Sequence, residues 1–252
     1  MRAIPEVGIG TGTLHGEAAR DTVRGALEVG YRHVDTARGY ENEREVGRAL
    51  AESGLPRDDV FLTTKLSERH SADPLATLSA SLADLGVAQV DLWLVHWPPQ
   101  ALPAVDIWRA MVVALRRQQV KAIGVSNFSL PQIDELIEAT GVAPAVNQIA
   151  WTPHTYSAAT LAAHRSRGVT LMSYSPLRGT DLQHPVLWRI AERSGLSPAQ
   201  VVLSWNARHG VPVVTRTSRR QRLLDNLDAA RYPLGDADVR AIDAITDPST
   251  VG

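Results

Sequence analysis

Four side chains in this sequence could share one piece of chemistry: Asp35, Tyr40, Lys65 and His96. Asp35 and Tyr40 lie in "YRHVDTARGYENEREVG", where a β-rich run ends in an acid and a phenol follows on the next loop. Of the 26 lysines and arginines, only Lys65 and Lys121 are lysine, so the cation at 65 is needed as a compact ammonium and not as a guanidinium fork. A nearby ammonium favours phenolate and so makes a tyrosine a better proton donor. Asp35 would anchor Lys65 and offset its burial, while His96 would orient a carbonyl oxygen and stabilise the charge developing on it. The set therefore reads as acid catalysis on a carbonyl. With no cysteine in the chain, thiol chemistry is excluded, and the obvious reductant is a bound hydride donor.

Those residues need a frame that brings them together. Short β-rich runs alternate with stretches of helical periodicity: "EVGIGT" then residues 18–29, "YRHVDT" then 43–52, "VFLTTKL" then 74–85, "DLWLVH" then 104–117. The second half continues with "VKAIGVSNF" then 131–140, "AVNQIA" then 157–166, "VTLMSYSP" before a longer helical region, and "VPVVT" then 219–226. These eight units predict an α/β chain closed into a (β/α)8 TIM barrel, a single domain over 1–252. An open doubly wound sheet is the alternative, but no strand is followed by Gly-x-Gly-x-x-Gly. An extra helix is expected over 184–193, before the seventh barrel helix that opens at Pro198, and another over 236–245 near the C-terminus.

In such a barrel, chemistry gathers at the C-terminal ends of the strands. Asp35, Lys65, His96, Asn127, Gln148 and Tyr174 all read as strand-end residues, and Tyr40 lies on the loop after the second strand. Lys121 falls at the opposite end, as a solvated surface residue. Independently, Arg216, Thr217, Ser218 and Arg222 lie where the eighth strand meets its helix, a place that favours an anion. A formal charge of −1 argues against nucleic acid or anionic membranes as partners, and no apolar run spans a bilayer, so the chain reads as soluble, cytoplasmic and active on a small-molecule carbonyl.

The motifs "VDTARGYENE", "TTKL", "LVHWP", "GVSNF", "VNQI", "SYSPL" and "TRTSRRQRLLDN" occur in the order and spacing of the aldo-keto reductases, NADPH-dependent carbonyl reductases on a (β/α)8 barrel. The chain resembles that family over nearly its whole length, most closely its short bacterial members such as the 2,5-diketo-D-gluconate reductases. The resemblance implies that Asp35, Tyr40, Lys65 and His96 form a catalytic tetrad with Tyr40 as proton donor. It implies that Ser126, Asn127 and Gln148 hold the nicotinamide carboxamide, that Tyr174 stacks on the ring, and that Ser175 and Leu177 lie along the pyrophosphate. Arg216, Thr217, Ser218 and Arg222 would grip the 2′-phosphate, giving a preference for NADPH over NADH, with Asp225 and Asn226 on the adenine side. Arg216 and Thr217 replace the family's usual lysine and serine.

Other departures concern the substrate side. Gly12 and Ser67 stand where many members have aromatic residues, the opening β-hairpin plug is short or missing, and the long C-terminal loop of larger members is lacking. A wide mouth is expected, walled by Trp97 and Trp151. Short members of the family are often monomers, and a monomer is expected here. His33 reads as a satisfied core histidine, and the remaining histidines show no metal-ligand spacing. Trp93, Trp108, Trp188 and Trp205 read as packing residues. Two rival functions stay open: a Schiff-base aldolase using Lys65 as nucleophile, and a non-catalytic NADPH-binding regulatory barrel.

Overall fold

The alternation of β and helical patterns resolves, in a computed structural model describing residues 2–245, into a closed barrel of eight parallel strands in sequence order. The strands are β1 Val7–Gly10, β2 His33–Asp35, β3 Phe61–Leu66, β4 Leu92–Val95, β5 Ile123–Ser126, β6 Val146–Ala150, β7 Thr170–Tyr174 and β8 Val213–Thr215. Around them run α1 Gly16–Glu28, α2 Glu43–Glu52, α3 Pro74–Leu85, α4 Ala104–Arg116, α5 Leu130–Thr140 and α6 Ala158–Ser166. The ring is completed by α8 Pro198–Arg208 and α9 Arg220–Arg231, with α7 Pro185–Ser194 and α10 Asp236–Asp243 as the two extra helices. Both α5 and α8 start as their sequences dictate, with a serine (Ser129, Ser197) and a glutamine (Gln132, Gln200) capping each other across a proline.

Strand side chains alternate between the lumen and the helical shell. Phe61, Leu92, Leu94, Ala122, Val146, Met172 and Val214 form a compact cluster of their own, which fills the lumen, while larger clusters lie between sheet and helices. No strand precedes β1 in residues 2–6; instead Ile4 packs on the lumen cluster and the Arg2 guanidinium lies 5.5 Å above the Phe61 ring. The lower end is thus closed by a short plug. Beside it the buried Asp91 collects Arg2 at 3.2 Å, Arg57 at 2.8 Å and Lys121 at 3.2 Å. Lys121 therefore belongs to an ion cluster at the end away from chemistry, half-buried rather than freely solvated.

No helix among the described residues is long and apolar enough to cross a membrane, and no metal-holding group of His, Asp and Glu is found among them. The tail beyond Ile245, on which part of the expected wide mouth depended, lies outside the described residues.

Candidate active site

Asp35 closes β2, and its neighbour in the ladder is Thr63 of β3. Lys65, two residues further along β3, points to the same side as Thr63, so its long side chain can fold back onto the Asp35 carboxylate. Lys65 Nζ donates to Asp35 Oδ1 and, at 3.1 Å, to the carbonyl of Thr36. Only 1% of the lysine surface is exposed. Burial works against the charge, but the carboxylate of Asp35 and the phenol of Tyr40 more than offset it and hold the ammonium above the ordinary lysine range.

Tyr40 sits on a short 3-10 turn, Arg38–Tyr40, which swings the ring over this pair. Lys65 Nζ is 5.4 Å from the ring centroid, and the phenol oxygen is 3.4 Å from His96 Nε2. The Tyr40 and His96 rings meet edge to face, centroids 5.4 Å apart. Burial, reinforced by the Lys65 charge, lowers His96 to about 4, so near neutral pH its imidazole is uncharged and has one N–H to offer. All four groups thus meet at one point of the barrel mouth. Gly12 flanks them: a side chain there would start 3.3 Å from Tyr40 Cζ and 3.5 Å from its hydroxyl.

A second network runs from this point across the mouth. Asn127, just past β5, is held at φ 63°, the left-handed region that asparagine tolerates. Its amide donates to Ser126 Oγ at 3.0 Å and its carbonyl accepts the Tyr174 hydroxyl at 3.0 Å. Ser126 Oγ in turn donates to the Gln148 backbone carbonyl at 2.8 Å. Gln148 lies in the middle of β6 and not at its end; from there its amide reaches Asp35 Oδ2 at 2.8 Å, linking the two networks. Burial raises the Tyr174 phenol above its ordinary range, so the ring stays neutral. Ser175, at φ 51°, turns the chain so that Ser175 to Leu177 border the opening.

Apart from Lys65, which is buried beneath Tyr40, these residues line one cavity of about 1180 Å³ that also reaches Arg216, Thr217, Arg222, Asp225 and Asn226 at the β8–α9 junction. Arg216 there binds the Gly12 carbonyl and the Thr13 hydroxyl, spanning from the last strand to the first. Asn226 donates to Thr215 Oγ1 at 3.3 Å. Trp97 stands at the rim, 53% exposed.

Besides Lys65, three expected members do not line the cavity. Trp151 is buried in the outer core, edge-on to Tyr156 at 5.6 Å, because the chain has already turned outward after Ala150. Ser218 is exposed on the β8–α9 loop without lining the cavity, and Ser67 is turned behind it, its Oγ beside Gly39. Trp188, expected to pack, is instead 42% exposed on α7, while Trp93, Trp108 and Trp205 are buried. His33 is fully buried, with Nε2 3.0 Å from Thr63 Oγ1, though its Nδ1 has no partner.

Comparison with known proteins decides the family. The model of the Aldo/keto reductase family matches residues 6–185 and 180–247. The chain belongs to the aldo/keto reductase family. This reductase is 38% identical over 254 residues to an aldo-keto reductase of Mycolicibacterium smegmatis, covering 99% of this chain and 92% of the relative. Its fold matches an aldo/keto reductase from Brucella melitensis with a TM-score of 0.90 at 36% identity, covering 96% and 94% of the two chains. It also matches a Bombyx mori aldo-keto reductase solved in complex with NADP, with a TM-score of 0.88 at 30% identity over 96% and 89%.

The reductase's cavity also has walls that sequence reasoning missed: His15, Arg69, Arg178, and Ser197, Ala199 and Gln200 at the start of α8. Ser197 and Gln200 carried a signal, since a capping box fixes where a helix begins, and a helix following β7 must begin at this mouth. His15, Arg69 and Arg178 are exposed side chains on or beside loops and left no periodic trace.

Proposed function

We propose that this reductase reduces an aldehyde or ketone to an alcohol with NADPH as cofactor and Tyr40 as the general acid. The observation that carries the reading is the convergence of Asp35, Lys65, Tyr40 and His96 beside a cavity that Arg216 and Arg222 also line. The donor set suits a dinucleotide: an asparagine amide and a flat tyrosine near the tetrad for the nicotinamide end, and the β8–α9 guanidinium groups for phosphate. Ser126, Asn127, Tyr174, Ser175 and Leu177 would hold the nicotinamide half, with Arg216, Thr217, Arg222, Asp225 and Asn226 on the adenosine half. NADPH, when bound, supplies a hydride.

The chain's own residues handle the proton. The substrate oxygen would sit between the Tyr40 hydroxyl and the neutral His96 ring, within hydrogen-bond reach of both. As that oxygen gains negative charge, the Tyr40 O–H bond breaks and its proton passes to the oxygen. An ammonium about 5 Å from the phenol ring stabilises the phenolate left behind by roughly 3 kcal/mol at an effective dielectric of 20. Asp35 keeps Lys65 charged and in place. The same arrangement disfavours a Schiff base, which requires the neutral amine. Gly12 and the outward Trp97 leave space beside the phenol for the carbonyl's substituents.

Tyr40→Phe tests the assignment. Loss of the proton donor should lower kcat by about 10²–10⁴-fold while NADPH affinity, read from quenching of tryptophan fluorescence, stays within about twofold. Substantial remaining turnover would remove Tyr40 from the acid role.

A further inference from the structure

Tyr40 rides on a short stretch between two firm anchors. Before it, Arg38 is clamped by Glu43 at 3.2 Å and Asp84 at 2.6 Å; after it, the Asn42 amide donates to the carbonyls of Thr11 at 2.9 Å and Leu14 at 2.8 Å. Between them lie Gly39, Tyr40 and Glu41. Glu41 stands at φ 57°, a left-handed conformation that is unfavourable for a glutamate and persists only where its neighbours impose it. Among the described residues, Arg69 is the one side chain that hydrogen-bonds the backbone of this stretch. Its Nη2 donates to the Gly39 carbonyl at 2.8 Å and meets Glu41 Oε1 at 2.9 Å, so a single nitrogen grips the residues before and after the phenol. Behind them, Ser67 Oγ fills the place that a Cβ on Gly39 would need.

Arg69 comes from the segment that also delivers Lys65. β3 ends at Leu66, and the chain then makes a 3-10 turn over Glu68–His70. That turn is itself pinned: the Glu68 carboxylate accepts the Gln100 N–H at 2.8 Å, and the Glu68 carbonyl accepts the Ser71 hydroxyl at 2.6 Å. One segment thus presents an ammonium over the Tyr40 ring, 5.4 Å from its centroid, and a guanidinium to the backbone that carries the ring. Arg69 and Glu41 are 55% and 69% exposed, so their ion pair contributes little to stability. Its effect is on position, and a displacement of about 1 Å in a reacting group can lower a rate ~10²-fold. We propose that Arg69 is a positioning residue for Tyr40, latching the turn that bears the general acid onto the strand that bears Lys65. This rests on the acid role given to Tyr40 above and adds what holds that acid in register.

The test uses Arg69→Met, Arg69→Lys, Tyr40→Phe and the double variant Arg69→Met with Tyr40→Phe, assayed with whichever of butanal, benzaldehyde and glyceraldehyde the wild type reduces fastest. Arg69→Met should lower kcat about tenfold, with KM and NADPH affinity within about twofold of wild type and the melting temperature within ~2 °C. Because one nitrogen makes both contacts, the ammonium of Arg69→Lys can stand in for it and should restore kcat to within about threefold of wild type. In the Tyr40→Phe background, Arg69→Met should lower the residual kcat by less than about twofold, since no acid is left to misplace. A kcat for Arg69→Met within about twofold of wild type overturns the inference. A loss that repeats in full in the Tyr40→Phe background also overturns it, because Arg69 then acts independently of the phenol. So does a raised KM at unchanged kcat, which makes Arg69 a substrate contact. Substantial turnover by Tyr40→Phe alone would instead remove the acid role on which the inference rests.

Discussion

Lys65→Met is the most exacting test of the buried ion pair. The substitution keeps the volume of the side chain but deletes the ammonium, leaving the Asp35 carboxylate 3% exposed with Gln148 Nε2 at 2.8 Å as its remaining side-chain donor. Removing one partner of a buried pair costs about 3–5 kcal/mol, because the other charge is left uncompensated. For a chain of this size each kcal/mol shifts the melting temperature by about 2–4 °C, so Lys65→Met should melt roughly 6–20 °C below wild type. Adding Asp35→Asn removes the stranded charge, and the double variant should regain ~2 kcal/mol relative to the single one. Calorimetric melting of all three proteins, with urea unfolding as a second measure, reads both numbers. A single variant that melts within about 2 °C of wild type, or a double variant less stable than Lys65→Met, would refute the view that these two residues balance each other's burial.

Two further predictions concern the scaffold. Gly47 on α2 has no room for a methyl group, since a Cβ would lie 2.6 Å from the Leu85 carbonyl oxygen and 2.8 Å from that of Asp84, whereas Gly25 on α1 faces nothing within 4 Å. Gly47→Ala should therefore cost ~1–3 kcal/mol in urea unfolding while Gly25→Ala should gain ~0.5–1 kcal/mol. Burial depresses His33 from 6.5 to about 4, so as pH falls through that range the unfolded chain takes up a proton the folded chain refuses. Stability is then present above pH ~6.5 and declines toward pH ~4, by roughly 3 kcal/mol in all from this group; His33→Phe should flatten the slope between pH 6 and 5 by about 1 kcal/mol per unit.

Much of the barrel was legible because each strand is a short, largely apolar run and several helices carry their own start signal, as at Ser129 and Ser197. The tetrad was legible for the opposite reason: an acid and a lysine interrupt runs that burial should keep apolar. Errors arose where one local cue stood in for a three-dimensional path. Trp151 follows a strand-end run and so looked like a cavity wall, but β6 outlasts Gln148 and the chain then turns away from the mouth. Trp188 follows Leu187, which is buried with Ile190 and Ala191; one residue further round the helix is enough to place it in solvent, where its indole N–H binds Gln183. Arg69 and Arg178 left no sequence signal at all, because an exposed residue on a loop or short turn obeys no period.

The unequal treatment of cations at the two ends of the barrel bears on how the molecule meets its solution. Below, Arg2, Arg57 and Lys121 are spent on Asp91; above, Arg178, Arg216 and Arg222 border the opening with no carboxylate partner among the described residues. An overall charge of −1 therefore conceals a local sink for anions. Buffers built on phosphate, sulfate or citrate will contend with the dinucleotide at that opening at strengths that leave folding untouched, and a phosphate-bearing resin will grip the molecule by its mouth.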